Sequence, residues 1–200
     1  MGQYYYPTII RNKNGRNYSQ QFYSHDYDEN GLKLMEHSYV GNRFTETVIA
    51  QLYNKPGRLA WMGDYHDKGD IPNEELDKVF RKHYKKFYYK KNWNTGEVQT
   101  NYSHPKMEDE RKGRFILNHD KKLFIDMDDY EKLAPRDEWG CMIHPLPLLT
   151  SVGNGRGGGD YCGTLQDEVG TWAGDLIETQ DVKPNGYTDA TNWFFFEEGR

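Results

Sequence analysis

Rings must fill the interior of this chain. It carries 16 Tyr, 9 Phe and 5 Trp, so that aromatic residues make up 15% of its 200 positions. The whole apolar share is only 36%, and the mean hydropathy is -1.02. Disordered chains are poor in aromatics, so a disordered chain is excluded. No stretch approaches the ~18 apolar residues that a membrane-spanning helix needs. A single domain over residues 1–200 is expected, with a core built more on rings than on Leu and Val. The opening MGQYYYPTII has neither a basic n-region nor an apolar h-region, so the expected location is cytoplasmic, with no membrane contact. Cys141 and Cys162 suffice for neither a disulfide framework nor a four-cysteine zinc site.

Hairpin signals dominate the pattern. Residues 3–11 are rich in β-formers, Asn14-Gly15 is a hairpin turn, and a second β-rich run follows. Pro7 argues for an edge strand. Residues 32–39 read as a strand. Asn42 can cap a helix reaching roughly Tyr53, because Phe44, Val48, Ile49 and Leu52 recur at helical spacing. RLAWMGDY reads as a buried strand. The clearest helix covers 74–91, with Asn73 as cap, acids in its first turn and Lys90 and Lys91 at its end. GRFILNH and KLFIDM form a second hairpin, and DDYEKLAP a short helix. MIHPLPLLTSV is interrupted by prolines, and TWAGDLIETQ and NWFFFEE read as strands. Hairpins without a βαβ alternation predict an α+β fold: a mainly antiparallel sheet with two main helices.

Charge is laid out in blocks. Residues 1–77 carry a net charge of -3, residues 78–122 +8 and residues 123–200 -10. The basic block either neutralises the acidic third or offers a face to an anionic partner. Within it, the helix mixes Lys82, Lys85, Lys86, Lys90 and Lys91 with aromatic rings. Such a mixture suits phosphate contact and base stacking, and equally a solvated face. Leu76, Val79, Phe80 and Phe87 are expected on the buried side.

Two constellations carry candidate chemistry. GNGRGGGDYCG (153–163) formally matches G-x-G-x-x-G but lacks the helix start that a dinucleotide site needs, and no Lys completes a Walker loop. What remains is an anion nest at Gly157, Gly158 and Gly159 with Arg156 as its cation, or a plain connecting loop. The weak catalytic candidates are Asp64, His66 and Asp67 at the end of a strand, with Asp160 and Asp175. Asp64, His66 and Asp67 also suit an ordinary Asx-type turn. Trp172 is expected to plug the core. No metal site and no cofactor are expected.

MGQYY, the run Gly31-Leu32-Lys33-Leu34-Met35-Glu36 and the pair GGGDY…GTWAGDLI resemble small uncharacterised proteins of bacteria and their phages. The blocks cover residues 1–5, 31–36 and 157–177. The resemblance implies one compact cytoplasmic domain and supplies no activity.

The first functional expectation is a non-enzymatic protein that binds another macromolecule, a protein above all, in the manner of anti-defence or immunity proteins. One alternative is a nucleotide-binding or phosphoester-processing protein using the glycine loop. The other is nucleic-acid binding through the basic aromatic helix. A pocket joining the glycine loop, W-A-G-D and G-D-Y-H-D would favour the nucleotide reading; their separation would favour the binding protein.

Overall fold

The computed structural model describes residues 3–28, 30–88, 103, 105–153, 161 and 167–194, and of residues 85–88 and 194 the backbone alone. Eight strands form one sheet: β1 (Tyr5–Lys13), β2 (Arg16–Gln21), β3 (Gly57–Gly63), β4 (Phe115–Asn118), β5 (Leu123–Asp126), β6 (Ser151–Val152), β7 (Leu176–Gln180) and β8 (Thr188–Asp189). Their order is β2-β1-β3-β7-β4-β5-β8, with β6 also beside β3. The named pairs are antiparallel except β3–β6 and β5–β8. Helices α1 (Leu34–His37), α2 (Arg43–Ala50), α3 (Glu74–Tyr88), α4 (Met127–Leu133) and α5 (Pro145–Thr150) complete an α+β architecture. Among the described residues no helix is long and apolar enough to cross a membrane.

Helices cover both faces of the sheet. Tyr5, Ile9, Leu59, Trp61, Ile116, Ile125 and Ile177 pack with α2, α4 and α5. Their strand neighbours Tyr6, Ile10, Ala60 and Met62 pack with Phe80 and Tyr84 of α3. Burial on both faces explains why the first six residues of β1, Tyr5 to Ile10, are nearly all apolar. The largest fully buried side chains are mostly rings, among them Trp61, Tyr5, Tyr130, Phe22, Phe44, Phe80 and Phe124.

The β1–β2 hairpin forms as read, with Asn14 and Gly15 at positive φ between paired Lys13 and Arg16. Several local expectations need correction. β1 is an interior strand, not an edge. Pro7 is tolerated because its carbonyl accepts from Phe22 N just beyond β2, so its missing N–H faces the end of β2. Residues 34–37 are helical: Glu36 Oε2 accepts from Lys33 N at 3.0 Å, closing a turn that the alternation of Leu32 and Leu34 hid. The prolines of 142–152 open α5 instead of breaking it, since a first helical turn needs no donor there. Trp172 to Gly174 form turns, and only Leu176–Gln180 is strand. Thr191–Phe194 is a 3-10 turn. Leu76 and Val79 are half-buried, Phe80 is fully buried, and the Phe87 side chain lies outside the described residues.

Candidate functional site

Strand β3 sorts the candidate motifs. One of its edges pairs with β1 from Arg58 to Gly63. The other edge is divided: β7 takes its start (Arg58↔Leu176), and β6 takes its end (Met62↔Val152). W-A-G-D therefore sits at the start of β3, whereas G-D-Y-H-D and the first glycine of the loop leave side by side at its end. At about 3.3 Å per residue those ends are roughly 17 Å apart. Asp175 shares no pocket with Asp64, His66 and Asp67.

At the end of β3 the polar groups build turns. The buried Gln3 amide is wedged between two glycines: a Cβ on Gly63 would lie 2.4 Å from it, and one on Gly153 2.6 Å from its Oε1. Gln3 Nε2 donates to Tyr5 OH at 2.5 Å, and Oε1 has no partner among the described residues. Asp64 Oδ1 accepts from Tyr4 N at 3.0 Å. His66 Nδ1 lies 2.6 Å from Gly63 O, and its ring stands edge-on to Tyr84. Asp67 N donates to Asp70 Oδ2 at 2.7 Å. Arg156, Gly157, Gly158, Gly159, Asp160 and Cys162 lie outside the described residues.

Helix α3 packs two of its rings on the core. Phe80 and Tyr84 are buried against the sheet. Arg81 donates to the buried Asp77 at 2.9 Å, and Lys78 pairs with Glu74 and Glu75. Lys82 is exposed. The side chains of Lys85 and Lys86, and all of Lys90 and Lys91, lie outside the described residues. A cleft of about 310 Å³ separates α3 from the starts of β3 and β7, with Arg11 and Arg58 in its wall. Arg11 is held by Pro56, Gln51 and Lys55 carbonyls beyond the C-terminal end of α2, and Arg58 by Asp120 and Gly174 O.

A dense polar constellation lies at the β4–β5 turn, where it meets β7. Asn118 Nδ2 and Lys121 Nζ both donate to Asp175 Oδ2, at 2.7 and 2.5 Å. Asp120 Oδ2 accepts from Arg58 and from Leu176 N. Burial alone would raise the Asp120 carboxyl, but these two donors outweigh it and hold it below its ordinary range. Next to them, His119 Nε2 lies 2.9 Å from Glu178 Oε2, and its Nδ1 2.6 Å from Tyr187 OH. Lys122 Nζ is 3.4 Å from the same hydroxyl and 4.9 Å from the centre of the ring. A carboxylate only accepts, so with a neutral ring the proton sits on Nε2, and Nδ1 accepts from the phenol.

Sequence reasoning passed over this chain of groups, placing His119 only at the end of a hairpin strand. The available signal was Glu178, a partly exposed acid between the buried Ile177 and Thr179 of β7. It also passed over Trp139, which is 77% exposed. That ring sits on a braced turn: Asp137 Oδ1 accepts from Trp139 N and Cys141 N at 3.0 and 2.8 Å, and Arg136 donates to Gly140 O at 2.9 Å. Leu133, at the end of α4, is 54% exposed.

Two histidines are structural. His37 Nε2 accepts from Trp61 Nε1 at 2.9 Å, its Nδ1 lies 2.9 Å from Gly31 O, and burial pushes it down to about 4. His144 Nδ1 accepts from Leu146 N as the cap of α5; burial, then the charge of Arg111, push it down to about 3. Among the described residues no three His, Cys, Asp or Glu side chains gather as a metal site would require. Comparison of the chain with protein-family models, with curated proteins and with solved structures finds no match.

Proposed function

We propose that this chain is a non-catalytic binding protein that docks on another protein through the Trp139 turn. The exposure of Trp139 carries the reading. A ring left in water forgoes the burial that most aromatics obtain, while Trp is the side chain most enriched at interface hot spots. The backbone of the turn is held by Asp137 and Arg136, so the ring is not needed to hold its own loop. A braced turn also loses little freedom on docking. Asp137 and Glu138 flank the ring in an acidic third of the chain, which suits an apolar pocket with a basic rim. The separation of W-A-G-D from G-D-Y-H-D weighs against the nucleotide alternative, and the burial of Phe80 and Tyr84 leaves α3 two fewer rings for the base stacking of the nucleic-acid alternative. An anti-defence or immunity role is one form such a binding protein could take.

The test is a photo-crosslinking residue placed at position 139 and, separately, at the exposed Tyr18, in cells that naturally make the protein. A discrete adduct with a second protein from position 139 and none from position 18 is the expected result. Equal adducts from both positions, or adducts only with a second copy of the chain, would defeat the proposal.

A further inference from the structure

Beyond binding, we propose that Tyr187 is an activated tyrosine, a modification site for an electrophilic sulfonyl or phosphoryl donor. The constellation repeats the logic of a nucleophile, a base and an orienting acid. Glu178 fixes the His119 ring by accepting its Nε2–H, which leaves the Nδ1 lone pair 2.6 Å from the phenol. That distance is within reach for direct proton transfer. Lys122 places an ammonium 3.4 Å from the same oxygen, where negative charge develops as the proton leaves. Tyr187 is only partly buried, so a reagent can approach it. The step balances: the phenol oxygen attacks sulfur or phosphorus, its proton passes to His119 Nδ1, and the leaving group departs with the electron pair of the bond that breaks. Glu178 is a positioning residue in this scheme.

The experiment treats the full chain with an arylsulfonyl fluoride at pH 7.5, fluoride being the leaving group, and locates adducts by peptide mass mapping. Tyr18 is the internal reference, being 55% exposed and in an unrelated hairpin. Tyr187 is expected to label at least about tenfold faster than Tyr18, less than the roughly 100-fold that a positioned base contributes at minimum because Tyr187 is the less exposed of the two. His119→Gln should bring Tyr187 down to the rate of Tyr18, and Glu178→Gln should slow it several-fold and alter its pH profile while Tyr18 is unchanged. If His119→Gln fails to fold, Glu178→Gln and Lys122→Gln carry the comparison. Tyr187 labelling no faster than Tyr18 in the parent protein, or a rate indifferent to these substitutions in folded variants, would overturn the proposal.

Discussion

The buried histidines tie single side chains to the pH response of the molecule. His37 and His144 are held well below their ordinary value, so the folded state keeps them neutral where an unfolded chain would protonate them. Their contribution to stability is full above about pH 6.5 and is lost as pH falls towards 4 and 3. For His37 the loss is on the order of 3 kcal/mol. We expect the urea midpoint to drop steeply between pH 6.5 and 4. His144→Asn, which keeps a capping side chain without a titrating ring, should flatten part of that drop. Equal midpoints at both pH values would contradict the assignment. Gly174 makes a second residue-scale case. It has φ +82, and a Cβ there would meet Ile71 at 2.8 Å. Gly174→Val should destabilise by a few kcal/mol or prevent folding, as calorimetry would record, because both the backbone and the packing resist it.

At the level of elements, what could be read from the sequence was what neighbouring residues decide. Asn14-Gly15 dictates its hairpin. Asn42 caps α2 by accepting from Phe44 N and Thr45 N, and Asn73 caps α3 by accepting from Leu76 N. What distant residues decide was hidden. The place of β1 inside the sheet depends on β3, about fifty residues on. His119 finds its partners 59 and 68 residues downstream, and no local pattern announces that meeting. The short helix α1 was missed because Leu32, ahead of it, and Leu34, its first residue, sit two apart, a strand-like spacing. For α3, the buried Asp77 that receives Arg81 is the distinctive feature. Asp77→Ala should cost about 1.5–3 kcal/mol, the range for a hydrogen bond between charged groups, read from denaturant unfolding. With Phe80 and Tyr84 packed on the sheet and the acidic third of the chain repelling phosphate, α3 should show no measurable binding to single-stranded DNA near physiological salt. A sub-micromolar affinity in an anisotropy titration would reverse that conclusion.

Across the described residues, the C-terminal end of the basic block answers the acidic third. Arg111 pairs with Asp128 and Glu131, Arg114 with Asp126 and Asp128, and Lys121 with Asp175, so this end of the basic block is laid against the acidic third. Where both partners keep contact with water, as in Arg111 with Asp128 and Glu131, such pairs contribute about 0–1 kcal/mol each. The ring-filled core on both faces of the sheet therefore holds the fold, and the charges set its surface. On that surface Trp139, at 77%, is the most exposed large apolar side chain among the described residues, and it sits on a braced turn. The affinity of the partner captured at position 139, measured for the parent protein and for Trp139→Ala, tests this account most directly. A hot-spot ring implies a loss of at least about 2 kcal/mol, some thirtyfold in Kd, with an unchanged melting temperature. An unchanged Kd in the folded variant would contradict it.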